Sequence, residues 1–152
     1  MNPPNFWGSS IPEFGRAVAG AEYLLRPGGY ALILNTQGSL AVVSTPVGLA
    51  LPGGGVNAGE GPDTAAVREV REECGLRITV GPCIGVAHEL VFAADEGVYY
   101  RKRCVFFVAE FVEHVGAGEP DHVLHWFPPA RAAAELLHES QRWAVKKLMK
   151  QM

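Results

Sequence analysis

The sequence predicts a single α/β (α+β) domain, and three observations lead to this prediction. Runs rich in Val, Ile, Leu and aromatic residues recur along most of the chain, as they do in the strands of a sheet. One segment near the middle and the C-terminal part show helical patterns instead. At 152 residues the chain is long enough for one domain and short for two. We therefore expect one domain over residues 1–152, with residues 1–12 as an N-terminal extension.

Composition and charge limit the classes of partner. With 48% hydrophobic and 19% charged residues, the chain is typical of globular proteins. A net charge of −3 disfavours binding to a nucleic acid polymer, which requires a basic surface. The three cysteines are odd in number and scattered, which favours reduced thiols. No segment has the length and hydropathy of a membrane span or a secretion signal, so we expect a cytoplasmic protein with no membrane partner.

The N-terminal part is predicted to contain short strands and turns. Phe6 and Trp7 are adjacent aromatics in a leader rich in Pro, Asn and Ser, and we expect them to dock on the domain or on a second subunit. The motif RPGGY indicates a turn, and the sequence TQGS indicates a hairpin between two strands. The predicted strands in this part are 14–18, 21–25, 30–35 and 40–44.

A short apolar run ends at a triple glycine, and a helix follows it. The run, 47–51, is stopped by Pro52, and the glycines allow the backbone to come close to a ligand or a helix. Pro62 suits the first position of a helix, and Gly75 suits a left-handed C-terminal cap. Within this helix Val67, Val70 and Cys74 share the face expected to enter the core.

Three carboxylates occupy the other face of the same helix. Glu69, Glu72 and Glu73 stand at helical spacing and point in one direction. Like charges this close repel each other, so a cation among their oxygens is expected. Ligation by oxygen alone suits Mg²⁺ or Mn²⁺ better than zinc.

The remainder of the chain is predicted as strands followed by helices. Lys102 should lie on the opposite face of its strand from Arg101 and Arg103. One of these two faces is a candidate for binding substrate phosphates, with plain solvent exposure as the alternative. The predicted strands are 77–89, 98–113 and 122–127, the loops are 93–97 and 116–120, and the helices are 130–137 and 141–150, with a break at 138–140.

The central motif has a defined spacing. Gly54 is followed by five residues and Glu60, then by seven residues and Arg68-Glu69-Val70, one residue, Glu72-Glu73, one residue and Gly75-Leu76. This pattern resembles the Nudix box, with each defining position filled. The order of elements also resembles the Nudix α/β/α sandwich with a mixed central β-sheet.

The resemblance implies a reaction and roles for the motif residues. The reaction is the metal-dependent hydrolysis of a diphosphate linkage in a nucleoside diphosphate derivative, with Mg²⁺ as the expected ion and Mn²⁺ as an alternative. The expected metal ligands are Glu69, Glu72, Glu73 and the carbonyl of Gly53. Glu69 is also the expected acceptor of the water proton, with Arg68 orienting it through a charge-assisted fork. Glu60 either fixes the loop to the helix or binds an outer metal, and the structural role is favoured.

A later loop offers a further acid. Glu119 precedes the strand that carries Trp126, in the region where relatives often contribute a catalytic glutamate, and a solvated loop charge is the alternative. Glu96 is the reserve candidate. His88, His122 and His125 could contact phosphate or base, although satisfied or surface histidines are more common.

The resemblance leaves the substrate open. Between Gly81 and Ala94 there is no tyrosine, and Pro82 is the only proline, which disfavours the dinucleoside-polyphosphate and ADP-ribose subgroups. The expected substrates are nucleoside triphosphates or nucleotide sugars, with substrate-binding residues unassigned. The alternative function is a nucleotide-binding or regulatory module without turnover. A homodimer is expected because relatives are often dimers.

Overall fold

The computed structural model describes residues 10–152. Phe6 and Trp7, and their predicted docking, lie outside this range. The strands are β1 (Glu13–Phe14), β2 (Tyr23–Leu34), β3 (Leu40–Thr45), β4 (Gly48–Ala50), β5 (Gly53–Gly55), β6 (Leu76–Ala93), β7 (Val98–His114) and β8 (Val123–Phe127). The helices are α1 (Pro62–Cys74), α2 (Pro129–Glu135) and α3 (Glu139–Gln151).

The eight strands form one mixed sheet. Its main path runs β1-β6-β7-β2-β3-β4, while β5 pairs with β2 and β8 pairs with β3. The β1/β6 and β2/β7 pairs are parallel, and the remaining pairs are antiparallel. Strand β2 lies at the centre, and it contacts both β7 and the glycine strand β5.

The predicted turn at RPGGY is wrong. Pro27, Gly28 and Gly29 lie inside the 12-residue strand β2, which pairs with β7 along its whole length. Pairing with a strand far along the chain overrides the local turn signal of Pro and Gly. A side chain at Gly29 would collide with the carbonyl of Pro62, so this glycine allows α1 to start directly above the strand. The predicted strand 14–18 is reduced to Glu13–Phe14.

Alternating side chains of the sheet form a core on each of its faces. Ala31 and Ile33 pack with Val70 of α1, whereas Leu32 packs on the opposite face with residues of α2 and α3. This alternation is the period-2 pattern of a strand buried on both faces. Helix α1 therefore covers one face and α2 with α3 cover the other, which confirms the predicted α/β/α sandwich.

Helix α1 has the predicted limits. It begins at Pro62, and Gly75 closes it with a φ of 64° and an N–H that donates to Arg71 O at 2.9 Å. Val70 and Cys74 are buried as expected, together with Ala65 and Ala66. Val67 was predicted in the core but is 37% exposed, because the buried face is centred on Ala66 and Val70.

The C-terminal helices flank a short break at residues 136–138. Arg142 bridges this break, since its Nη1 donates to Leu136 O at 2.6 Å and to Leu137 O at 2.9 Å. Over residues 10–152, no helix is long and apolar enough to cross a membrane. Cys74, Cys83 and Cys104 are free thiols.

Candidate functional site

The glycine strand β5 lies against the C-terminal half of α1. The N–H of Gly53 donates to a carboxylate oxygen of Glu73 at 3.0 Å. Gly53 has a φ of 148°, a conformation that favours glycine. A Cβ on Gly54 would lie 2.7 Å from Cδ of Glu69, so the missing side chain makes room for that carboxylate. The glycines thus bring backbone to within contact of two of the three helix carboxylates.

Arg68 connects the loop before α1 to the acidic face of the helix. Its Nε and Nη2 bind both oxygens of Glu60 at 2.8 and 3.0 Å, and Nη2 also donates to Gly55 O at 2.9 Å. Its Nη1 donates to Glu69 at 2.9 Å and to Glu72 at 3.2 Å. The fork of Arg68 is therefore on Glu60, whereas the sequence prediction placed it on Glu69.

Glu60 is fixed at both ends of its carboxylate. Besides Arg68, the N–H of Asn57 donates to it at 3.0 Å. The hydrogen bond from Arg68, assisted by that from Asn57, lowers the pKa of Glu60 to about 2. Glu60 thus links Asn57 in the loop to Arg68 in the helix. This geometry is the one that the predicted role of Glu60, fixing the loop to the helix, requires.

Glu73, Glu119 and His122 form a cluster suited to a cation. One ligand atom from each lies within 4.8 Å of the others. Within residues 10–152, this is the one cluster of His, Cys, Asp or Glu side chains that is close enough to hold a metal ion. The backbone holds the two segments together, since Glu119 N–H donates to Glu73 O at 3.2 Å. Gly118 allows this approach, because a side chain there would collide with the same carbonyl.

Electrostatics within this cluster favour a bound positive charge. Burial raises the pKa of Glu73 to about 7; the hydrogen bond from Gly53 opposes this shift, and Glu69 and Glu119 add to it. Partial burial opposes protonation of His122, but its hydrogen bond with Asp121 and its proximity to Glu73 give a net rise in pKa. Oε2 of Glu73 lies 3.5 Å from Nε2 of His122. Glu73 and His122 therefore hold protons more tightly than the free side chains do, so this position favours a positive charge.

The predicted site residues divide into two groups in the structure. Glu69 and Glu72 bind Arg68, while Glu73 turns towards Glu119. The reserve acid Glu96 accepts a hydrogen bond from Tyr100 in an exposed turn. Of the three histidines, His88 accepts from Arg103 and His125 contacts Ser44, which leaves His122 as the one in the acidic cluster.

A cavity of about 270 Å³ extends from this cluster along the sheet. Glu73, His122 and the glycine strand line one part of it. Elsewhere its wall contains Arg26 and Lys102, which confirms that Lys102 lies on a different face from Arg101, an exposed residue paired with Glu13. Its wall combines apolar side chains with many charged and polar ones, so a small polar molecule could bind there.

A buried glutamate in the cavity wall was not singled out from the sequence. Glu89 is 6% exposed, and its carboxylate accepts from Ser140 N–H at 2.8 Å and lies 3.3 Å from Nδ1 of His138. Burial opposes its ionisation, but the hydrogen bonds from His138 and Ser140 lower its pKa overall. The available signal was an acid within the apolar run HELVF, which the strand assignment treated as a strand end.

Both the sequence and the fold of this chain are similar to those of known proteins. The sequence model of the NUDIX domain matches residues 24–149. An RNA pyrophosphohydrolase from Rhodospirillum rubrum is 38% identical over 69 residues, which make up 43% of this chain. The matched segment spans 41% of the length of that relative.

Solved structures share the fold. A NUDIX hydrolase from Nitrosomonas europaea superposes with a TM-score of 0.68 at 20% identity, covering 84% of this chain and 90% of the other. A MutT NUDIX hydrolase from Burkholderia pseudomallei has a TM-score of 0.62 at 25% identity, covering 82% of this chain and 98% of the other.

Proposed function

The chain belongs to the Nudix family, and on that premise we propose that it is a metal-dependent pyrophosphohydrolase. It cleaves a diphosphate linkage in a nucleoside triphosphate or a nucleotide sugar. The observation that carries this proposal is the position of Glu73. It lies within reach of Glu119 and His122, accepts a hydrogen bond from the glycine strand, and lines a cavity of about 270 Å³.

The donor set supports a hard divalent cation. Two carboxylates and one imidazole converge within 4.8 Å, and Glu69 and Glu72 lie on the same helix face. Carboxylate oxygens suit Mg²⁺ and Mn²⁺, and the imidazole of His122 is also compatible with Mn²⁺. We propose Glu69, Glu72, Glu73 and the Gly53 carbonyl as ligands, with Glu119 beside them. When bound, the ion polarises the diphosphate and lowers the pKa of a coordinated water.

The remaining motif residues position this machinery. Glu69 accepts the proton of the attacking water, and the 2.9 Å hydrogen bond from Arg68 holds its carboxylate in place. Glu60 fixes Arg68 through two further hydrogen bonds. Glu119, in the loop before β8, serves as a further catalytic glutamate. Arg68 therefore acts on the reaction through Glu69, and Glu60 acts through Arg68.

A binding module without turnover is the alternative function. A protein that only binds nucleotide gains little from clustered acids beside the phosphates, because unscreened carboxylates repel the ligand. The number of acids next to the glycine strand therefore favours the enzyme.

A substrate panel tests the proposal. The panel contains ribo- and deoxyribonucleoside triphosphates, a nucleoside diphosphate sugar and a 5′-triphosphorylated RNA, since the Rhodospirillum rubrum relative is an RNA pyrophosphohydrolase. With Mg²⁺ or Mn²⁺ we expect turnover of at least one small nucleotide and none without a divalent ion. Identification of the products shows which phosphorus is attacked.

Two outcomes would contradict the proposal. Binding of nucleotides without turnover of any panel member would support the regulatory alternative. Turnover that is unchanged in excess chelator would contradict the metal dependence.

Sedimentation velocity at several protein concentrations tests the expected homodimer in the same preparation.

A further inference from the structure

The residues that lead into the glycine strand are held at three consecutive positions. The N–H of Leu51 donates to the side-chain oxygen of Gln141 in α3 at 2.9 Å. The carbonyl of Pro52 accepts a backbone N–H of β2 at 3.0 Å, and the N–H of Gly53 donates to Glu73 of α1 at 3.0 Å. The path of the chain into β5 is therefore set by one contact each from α3, β2 and α1.

The contact with Gln141 is buried and joins distant parts of the chain. Gln141 is 4% exposed, Leu51 is 2% exposed, and the two residues are 90 positions apart. A buried N–H that loses its acceptor carries the full cost of its desolvation. Without the Gln141 oxygen, the peptide group of Leu51 must therefore rotate or admit a water molecule.

The first turn of α3 is itself fixed on the sheet. Glu89 of β6 accepts the N–H of Ser140 at 2.8 Å, and its carboxylate also takes hydrogen bonds from the Ser140 hydroxyl and from His138. The N-cap residue, His138, makes no side-chain cap hydrogen bond to its own helix. Glu89 thus caps α3 from the sheet. Because Gln141 directly follows Ser140, this cap also fixes the position of the amide over Leu51.

The short path from Leu51 to the acidic cluster has little backbone freedom. The ring of Pro52 fixes its own φ and restricts the residue before it. Gly53 is the first residue on this path with wide conformational freedom, and it has a φ of 148°. A displacement of Leu51 is therefore absorbed at Gly53, whose N–H binds Glu73 and whose carbonyl is a proposed metal ligand.

We propose that Gln141 is a positioning residue for the metal site. Its amide oxygen holds Leu51 and so keeps the N–H of Gly53 on Glu73 and the carbonyl of Gly53 in place for the cation. The inference rests on the proposed metal-dependent hydrolysis and adds a residue that acts on the site from α3. Groups that orient metal ligands typically change metal affinity by about 10- to 100-fold when they are removed.

Binding of Mn²⁺ to the nucleotide-free protein tests this inference. Dissociation constants are measured by calorimetry, and because no nucleotide is present, contacts between Gln141 and a substrate in the cavity do not contribute. Gln141→Met keeps the length of the side chain and removes the acceptor, so we expect Mn²⁺ to bind about tenfold more weakly. Gln141→Glu keeps an acceptor oxygen at the same reach and should restore the affinity to within about threefold of the wild type.

Amide hydrogen exchange provides a second readout that involves no metal. Exchange at Leu51 and Gly53 is followed by NMR in EDTA. In Gln141→Met we expect exchange at Gly53 to be about tenfold faster than in the wild type, because its hydrogen bond to Glu73 opens more often. A role limited to satisfying the Leu51 N–H would accelerate exchange at Leu51 alone.

Ser140→Ala is the matched control. Ser140 is 1% exposed and lies one position earlier in the same helix, and its hydroxyl bonds to Glu89 rather than to Leu51. We expect this variant to stay within about twofold of the wild type in both measurements. If Gln141→Met does not fold, Gln141→Asn replaces it, because its amide oxygen ends one methylene short of Leu51.

Three results would overturn the inference. One is wild-type Mn²⁺ affinity in a folded Gln141→Met or Gln141→Asn protein. Another is an equal loss of affinity in Ser140→Ala, which would indicate a general loosening of α3. The third is a loss in Gln141→Glu as large as that in Gln141→Met, or no measurable Mn²⁺ binding by the wild type. Turnover in the substrate panel is scored separately, so its absence beside the expected Mn²⁺ affinities would contradict the hydrolase proposal and leave the role of Gln141 in place.

Discussion

The N–H of Gly53 donates a 3.0 Å hydrogen bond to the carboxylate of Glu73 and so joins strand β5 to helix α1. The same carboxylate has one oxygen 3.5 Å from His122, and its side chain is only 13% exposed. This one group therefore links the glycine strand, the helix and the loop before β8. Its ionisation should affect both stability and metal binding.

Glu73→Gln should stabilise the metal-free protein at alkaline pH. Burial raises the pKa of Glu73 from 4.5 to about 7, so the folded state holds a proton that the unfolded state releases. Stability from this proton is complete below pH 4.5 and is lost as the pH rises through about 7. Above pH 8 in EDTA, the variant should gain roughly 1–3 kcal/mol of unfolding free energy, measured by urea denaturation.

Divalent ions should reverse this order. Mg²⁺ or Mn²⁺ should raise the melting temperature of the wild type and have a smaller effect on Glu73→Gln, because binding to the folded state stabilises it. A variant that is less stable than the wild type at pH 8 in EDTA would show that the ionised carboxylate contributes favourable contacts at that pH.

Glu72→Gln should abolish most turnover with little effect on folding. Glu72 is 51% exposed at its side chain and makes one charged contact, to Arg68 at 3.2 Å. Such an exposed contact contributes little to stability. As a proposed metal ligand, however, Glu72 should affect the rate by several orders of magnitude, measured as kcat on the best substrate of the panel. Near-normal turnover would contradict its assignment as a ligand, and Glu110→Gln provides the control for loss of an exposed carboxylate.

Local signals explain which parts of the site could be predicted from the sequence. The limits of α1 follow from Pro62 and Gly75, which act through their own backbone geometry. The shared face of Glu69, Glu72 and Glu73 follows from helical periodicity alone. These features do not depend on the rest of the fold, so a sequence pattern is sufficient to predict them.

The features that were missed depend on distant partners. Pro27 lies in a strand because β7 pairs beside it, about 75 residues further along the chain as the Pro27–Arg103 register implies. Glu89 is charged and buried because Ser140, 51 residues away, donates to it. His122 was considered from the sequence only as a contact for phosphate or base, and its place in the acidic cluster follows from the hydrogen bond between the Glu119 N–H and the carbonyl of Glu73. No local pattern contains these pairings, so only the folded chain reveals them.

Glu60→Gln should flatten the acid limb of the stability profile. The hydrogen bond from Arg68 lowers the pKa of Glu60 from 4.5 to about 2. Stability from this carboxylate is complete above pH 4.5 and is lost as the pH falls through about 2. The wild type should therefore lose stability over this window more steeply than the variant, as measured by chemical denaturation at pH 2–6.

Glu135→Gln is the control for this comparison. Glu135 also accepts from an arginine, Arg131, at 2.9 Å, but on an exposed helix surface where ion pairs contribute little. We expect its acid profile to match that of the wild type. If the two variants flatten the profile equally, the effect arises from loss of a carboxylate in general, and the Arg68–Glu60 fork has no special role.

Gly118→Ala should displace the loop that carries Glu119 and His122. A Cβ at this position would collide with the carbonyl of Glu73, which is rigid helix backbone. Relieving that collision requires a backbone shift, with a cost of about 1–3 kcal/mol in unfolding free energy. The shift also separates Glu119 from Glu73, so the variant should bind Mn²⁺ more weakly, measured by calorimetry, and turn over more slowly. Gly116→Ala is the matched control, because nothing lies within 4 Å of its added Cβ. Equal metal affinity in the two variants would show that the packing of Gly118 against α1 does not set the geometry of the cluster.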